Sequence, residues 1–366
     1  MVAVVPVPLG PGALDLLDPL RKALDGAGPA VLPVPFGQVS SLELEGWERE
    51  AALVIATSGS TGMAKSVLLS AAALRASATA THARLGGAGR WLLALPATHI
   101  AGVQVLIRSL VAGTTPAALD LTPGFRAASF NAAAADLLAS PGRHYTALVP
   151  TQLARLLAED VSVLRGFDAV LLGGAATPPS LLARAMDAGV RVVTTYGMSE
   201  TAGGCVYDGV PLDGVEVRLV DERIELAGPT LALGYRGSRF TDGWFRTGDL
   251  GRLDDGRVEI LGRADDMIIT GGVKVPPVLV ERALAALPAV REVCVVGVPD
   301  VEWGQVVAAA VVPADASDPP SLEDLRDAVR ASVGRSAAPK RLVLVTELPS
   351  RGPGKVDRGA VARSFE

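Results

Sequence analysis

The chain has 366 residues, 49% of them hydrophobic and 20% charged, which excludes a wholly disordered polymer and, at usual domain sizes, suggests two to three structural units. Thirty-four basic and 39 acidic side chains give a net charge of -5 and a sequence pI near 5.4, so no global basic footprint for nucleic acid exists. Two cysteines, Cys205 and Cys294, lie far apart without metal-ligand spacing, the usage of a reduced intracellular protein.

In chain order, the first ten residues lack the basic start of an export signal, and prolines arrive before an apolar helix can grow. Residues 12–26 have helical apolar spacing, 51–56 form a short apolar strand, and 70–85 read as an alanine-rich helix. The uncharged stretch Trp91 to Ile107 is interrupted by Pro96, Thr98, His99 and Gly102, which predicts a buried strand, loop and helix rather than a membrane span. A soluble, cytoplasmic protein is therefore expected. Strands at 147–149 and 169–172 are each followed by a proline-started helix, at 150–158 and 178–186. This alternation predicts α/β layering in a large amino-terminal unit. From Val215 the pattern turns to alternating runs separated by Asp/Gly turns, read as antiparallel β structure. Residues 265–366 read as a small α+β unit, with helices near 277–287 and 321–334 and strands at 293–298, 306–312 and 341–345. The boundary is set at Ala264/Asp265, dividing the chain into 1–264 and 265–366.

Lysine is scarce, five residues against twenty-nine arginines, and three of the five, Lys65, Lys274 and Lys355, stand in glycine-rich stretches. The strongest of these is Thr57-Ser-Gly-Ser-Thr-Gly-Met-Ala-Lys65, directly after an apolar strand. Its hydroxyls, flexible backbone and single ammonium suit phosphate oxygens. It narrowly misses the Walker spacing because Ala64 replaces the second glycine, and residues 66–70 read as a strand where a Walker loop opens a helix. A solvated Ser/Gly turn is the plain alternative. Tyr196 to Thr201 brings an aromatic ring suited to stacking on a base and Glu200 suited to magnesium. Thr247-Gly-Asp249 offers a carboxylate for ribose hydroxyls or a simple Asx turn. Gly262 to Val275 joins an arginine and two aspartates to a glycine pair at the domain boundary, and 349–358 is a glycine-rich tail carrying Lys355. His82 and His144 have no suggestive neighbours. No His/Cys metal cluster, Gly-x-Ser-x-Gly elbow or dinucleotide fingerprint is present.

Taken in order, 57–65, 173–175, 196–200, 247–249, 262–275 and 349–358 resemble the signature series of the adenylate-forming superfamily of acyl-CoA synthetases, luciferases and peptide-synthetase adenylation domains. Leu148-Val-Pro-Thr-Gln-Leu153 and Val170 to Ala176 are similar to the o-succinylbenzoate-CoA ligases of menaquinone biosynthesis. The resemblance implies that ATP and a carboxylic acid give an acyl-adenylate, which coenzyme A then attacks, with magnesium as cofactor. It implies Lys355 as the catalytic lysine and Thr57, Ser58, Gly59, Ser60, Thr61, Gly62 and Lys65 as the phosphate cradle. Glu200 becomes the magnesium ligand, and Gly173, Gly174, Ala175, Tyr196 and Gly197 line the adenine. Asp249 and Arg263 take the ribose, Asp265 is the hinge, and Gly271, Gly272 and Lys274 form the coenzyme A loop. His99 matches the family's gate near the acyl pocket. Arg108, Gln152 and Thr270 are candidate donors to the second carboxylate and ketone of the acid. Two departures stand out: the segment before Thr57 is short, and Ala64 replaces a proline common in the family. Other readings are a ligase for another acid, an adenylation enzyme loading a carrier protein, and a non-catalytic nucleotide-binding module. The oligomeric state is left open, a homodimer included.

Overall fold

In the computed structural model, which describes residues 2–38, 41–58, 64–349 and 356–366, the apolar segments found in the sequence build three sheets before residue 264 and a fourth after it. The first sheet runs Val2–Val7, Ala30–Pro35, Ala51–Ser58, Ala64–Ser70, Gly234–Tyr235 and Ser238–Arg239. Its first three strands are parallel and the rest antiparallel. The short amino-terminal segment thus adds two parallel strands to the edge of this sheet. Pro33 and Pro35 have no N–H to offer a ladder, and Ala30–Pro35 registers with its inner neighbour only at Val31↔Leu53.

The second sheet has the order Val210–Pro211, Gly203–Tyr207, Val192–Met198, Ala169–Leu172, His144–Leu148, Arg90–Leu93, Ala117–Ala118. The strands from Val192–Met198 onward are parallel, and their near-continuous apolar runs follow from burial by helices on both faces. Helix Ala71–Arg84 starts where the Ser70 side chain accepts from the Ala73 N–H at 3.1 Å. Helix Ile100–Ala112 stops at Gly113, whose left-handed φ of 67° closes its last turn. The antiparallel reading after Val215 corresponds to the sheet Glu216–Val220, Arg223–Ala227, Trp244–Asp254, Arg257–Arg263.

The fourth sheet, Val273–Val275, Ile268–Thr270, Gly304–Pro313, Val290–Asp300 with Arg341–Leu344 on Gly304–Pro313, carries helices Pro277–Ala285 and Leu322–Ser332. A Ser321/Asp324 capping box starts the second of these helices. Buried apolar clusters fall wholly within residues up to 260 or wholly from 268 on. Across the join, Arg282 donates to Glu259 at 2.7 Å and to the Ile260 carbonyl at 3.0 Å. Cys205 and Cys294 are free and buried, and burial pushes each thiol up to about 12. Among the described residues no helix is long and apolar enough to cross a membrane.

Candidate nucleotide and acid site

Four neighbouring parallel strands deliver predicted site residues to one edge of the second sheet. His99 follows Arg90–Leu93, Gln152 follows His144–Leu148, Gly173 to Ala175 follow Ala169–Leu172, and Tyr196 lies near the end of Val192–Met198. All are at the carboxyl ends, where open α/β sheets form their ligand crevices. Gly197 lets this strand approach Gly203–Tyr207 so closely that a Cβ would stand 2.1 Å from the Gly203 carbonyl oxygen. Gly197→Ala is therefore expected to lower stability by about 1–3 kcal/mol. Urea unfolding checks this, and an unchanged midpoint would contradict the tight strand contact.

The chain then turns through Ser199–Thr201 and presents Glu200, whose Oε1 accepts from the Tyr235 hydroxyl at 2.6 Å. Tyr235 is placed by pairing with the strand that begins beside Lys65, in the register Tyr235↔Val67. The Lys65 ammonium lies 4.9 Å from the centre of the Tyr235 ring. Thr57 faces Lys65 across the hairpin, and its hydroxyl donates to the Lys65 carbonyl at 3.2 Å. The chain returns from this loop as the strand Ala64–Ser70, not as a helix, which separates it from a Walker loop. The backbone of Ser58 continues the first strand, whereas Gly59, Ser60, Thr61, Gly62 and Lys355 lie outside the described residues.

A second chain of polar contacts runs beside the first. The Tyr196 hydroxyl donates to Asp249 Oδ2 at 2.8 Å. Asp249 stands opposite Arg263 in an antiparallel pair, and the Arg263 guanidinium lies 3.6 Å from Asp249 and 3.5 Å from Asp265. Burial, then the Asp249 charge, pushes the Tyr196 phenol far up, so it remains a donor. A carboxylate offers about four acceptor sites, so Asp249 retains capacity for ligand hydroxyls beside these two partners.

Helix Ile100–Ala112 carries the remaining candidates of this lobe. His99 is its exposed N-cap residue, while Gln104 and Arg108, one turn apart, are buried. Arg108 Nη2 donates to the Tyr207 hydroxyl at 3.3 Å, and the guanidinium stacks 5.0 Å from the Trp91 ring. Arg108 makes no ion pair among the described residues, and its Nε and Gln104 Oε1 are buried without a partner there. Burial lowers the Arg108 pKa, against the opposing pull of Tyr207. Beside it, Trp91 Nε1 donates to His82 Nε2 at 3.3 Å, and burial, then the Arg108 charge, lowers His82 to about 4. His82 is thus neutral in the fold, and its ordinary value is 6.5. The stability tied to it is complete above 6.5 and is lost as pH falls from 6.5 toward about 4. Melting curves between these values should fall more steeply for the wild type than for His82→Asn; parallel slopes would contradict a neutral buried imidazole.

Two candidate donors have other duties here. Gln152 Nε2 donates to the Ala94 carbonyl at 2.9 Å and Oε1 accepts from the Val149 N–H at 3.0 Å, so both ends of this amide fasten the sheet edge. Thr270 is buried in the hairpin of the smaller lobe, paired with Val273. Gly271 and Gly272 form the two-residue turn of that hairpin with φ of 55° and 80°, a primed turn that requires left-handed backbone at both positions. The turn alone accounts for both glycines. A Cβ on Gly272 would meet nothing within 4 Å among the described residues, and Lys274 beside it is exposed.

Sequence reasoning missed two residues. Tyr235 is one of only four tyrosines, a scarcity that could have raised the same question as the lysines. Arg358 grips Glu281 with Nη1 at 2.7 Å and Nη2 at 2.9 Å, and its Nε lies 3.4 Å from Asp266. It thereby ties the chain just beyond Lys355 to the turn that holds Asp265. Among the described residues there is no group of three or more His, Cys, Asp or Glu that could hold a metal. Glu200 keeps Oε2 without a protein partner there. One carboxylate oxygen fits a magnesium ion held mainly by nucleotide phosphates and water, not a resident protein cage.

The profile described as AMP-binding enzyme matches residues 24–235, and that of the AMP-binding enzyme C-terminal domain matches 279–355. The chain is 48% identical to the "Probable 2-succinylbenzoate–CoA ligase" of Mycobacterium tuberculosis, over 98% of this chain and 97% of that one. It is 35% identical to the 2-succinylbenzoate–CoA ligase of Escherichia coli, over 83% of this chain and 67% of that one. Its fold matches o-succinylbenzoate CoA synthetase of Bacillus subtilis in complex with the acyl-adenylate intermediate OSB-AMP, with a TM-score of 0.77 and 26% identity, covering 98% and 82% of the two chains. An amide bond synthetase of Marinactinospora thermotolerans gives a TM-score of 0.76 at 28% identity, covering 97% and 77%. With matching profiles at both ends and a full-length relative at this identity, the chain belongs to the AMP-binding enzyme family.

Proposed function

We propose that the protein is an AMP-forming acid–thiol ligase that joins 2-succinylbenzoate to coenzyme A through an acyl-adenylate, in the cytoplasm and within menaquinone biosynthesis. The observation that carries this reading is the 48% identity to a 2-succinylbenzoate–CoA ligase over 98% of the chain. The fold by itself supports either a thiol or an amine acceptor, since the ligase and the amide bond synthetase match almost equally well.

In this reading Thr57, Ser58, Gly59, Ser60, Thr61, Gly62 and Lys65 hold the ATP phosphates, and Tyr196 stacks on the adenine beside Gly173, Gly174, Ala175 and Gly197. Asp249 and Arg263 hold the ribose. Magnesium bound with the nucleotide supplies charge neutralisation at the phosphates, and Glu200 is the residue that would hold it. Lys355 donates to the α-phosphate oxygens as the substrate carboxylate displaces pyrophosphate. The thiol of coenzyme A then attacks the acyl carbonyl and releases AMP. Asp265 is the hinge between 1–264 and 265–366, and Gly271, Gly272 and Lys274 serve the thiol step. His99 gates the acyl pocket. Arg108 faces the second carboxylate of the acid, because a buried guanidinium without a counter-charge among the described residues is complemented by an anionic substrate group.

The test is pyrophosphate–ATP exchange. 2-Succinylbenzoate is expected to stimulate exchange strongly and benzoate weakly; exchange that ignores the acid would contradict the reading. Gly272→Trp is expected to slow thioester formation about tenfold more than exchange, as read by separate half-reaction assays. The opposite ranking would remove the 271–274 hairpin from the thiol step.

A further inference from the structure

Lys65 and Glu200 carry opposite charges and share a neighbour, yet no ion pair joins them among the described residues. Both meet Tyr235 instead. Its hydroxyl donates to Glu200 Oε1 at 2.6 Å, and its ring centre lies 4.9 Å from the Lys65 ammonium. The ring is fixed from several directions. Pairing with Val67 and the bond from the Arg236 N–H to the Ser66 carbonyl at 2.9 Å set the backbone. Phe240 packs edge-on at 5.4 Å and 90°. The Ala232 N–H donates to the Glu200 carbonyl at 2.8 Å, joining the segment that leads into Tyr235 to the turn that holds Glu200.

We propose that Tyr235 is a positioning residue for the nucleotide step: it aims the Glu200 carboxylate through its hydroxyl, seats the Lys65 ammonium on its ring, and so keeps the two charges from neutralising each other. A direct Lys65–Glu200 pair would remove one positive charge from the phosphates and one negative charge from the cation that accompanies them. A neutral phenol between them leaves each free to serve its own ligand. A carboxylate oxygen can only accept in this contact, so the Tyr235 hydroxyl is the donor and its lone pairs leave the Glu200 charge in place. Phenylalanine at this position keeps the ring and removes only the hydroxyl; leucine removes both.

This inference rests on the nucleotide site proposed above, and titration calorimetry of ATP with the full-length protein, in excess magnesium and in EDTA, separates the two. Wild-type protein that binds ATP no better with magnesium would defeat the site reading itself. With that gain established, Tyr235→Phe is expected to lose most of it, about tenfold in Kd, while binding in EDTA changes less than about twofold. Tyr235→Leu is expected to weaken binding in EDTA by about threefold as well. The Tyr235→Phe and Glu200→Gln effects on the magnesium-dependent gain should be strongly non-additive, and this cycle carries the test if the leucine variant fails to fold. Wild-type binding by Tyr235→Phe in both buffers, equal losses for phenylalanine and leucine, or additive effects in the cycle would each overturn the proposal.

Discussion

Lys355→Ala is expected to remove acyl-adenylate formation while leaving thioester formation from preformed adenylate largely intact. The loss should be about 100-fold or more in the first half-reaction, the scale of removing one charged donor from developing oxyanion charge, and less than about threefold in the second. Pyrophosphate exchange reads the first step and release of AMP from synthetic acyl-adenylate plus coenzyme A reads the second. Arg358 gives a physical reason for this separation, because its grip on Glu281 and Asp266 fixes the chain immediately after Lys355 whatever side chain stands at 355. Equal loss of both half-reactions would contradict the assignment of different loops to the two steps.

The second large effect is expected at Arg108. Replacing it by methionine keeps an unbranched chain against Trp91 and removes a buried cation that has no counter-ion among the described residues. An uncompensated buried charge is costly, so the unliganded variant should be as stable as the wild type or more stable, by about 1–4 kcal/mol. Catalytic efficiency with the dicarboxylate should fall about 10- to 100-fold through KM, the value of a charge-assisted hydrogen bond, while monoacids such as benzoate are affected far less. Urea unfolding and KM with both acids check the pair of outcomes. A variant several kcal/mol less stable with unchanged acid selectivity would make Arg108 a purely structural residue.

These two predictions draw on different sources. The role proposed for Lys355 comes from the sequence alone, where an ammonium in a glycine-rich tail completes an ordered motif series. In the sequence Arg108 is one of several candidate donors to the second carboxylate; its isolation comes from Tyr207 and Trp91, which arrive from strands 99 residues later and 17 residues earlier in the chain. The α/β layering, the antiparallel unit after Val215 and the small carboxyl-terminal α+β unit were readable from hydrophobic period and proline position. The amino-terminal strands were not, since Pro33 and Pro35 obscure a strand that pairs mainly on one side. Gly271 and Gly272 stand out in the sequence as a glycine pair, and the hairpin turn explains them without any ligand. Gln152 shows the converse: it is a polar residue at the expected edge whose amide is already taken by the backbone of residues 94 and 149. Tyr235 escaped because its meaning lies wholly in tertiary pairing, 35 residues from Glu200 and 170 from Lys65.

The most direct test of the central claim is a mass-spectrometric assay of the purified protein with ATP, magnesium, coenzyme A and a panel of 2-succinylbenzoate, benzoate and medium-chain fatty acids. The expected products are 2-succinylbenzoyl-CoA, AMP and pyrophosphate in equal amounts, with little product from the other acids. Selective turnover of a different acid would contradict the substrate assignment, and no AMP with any acid would contradict the ligase chemistry itself.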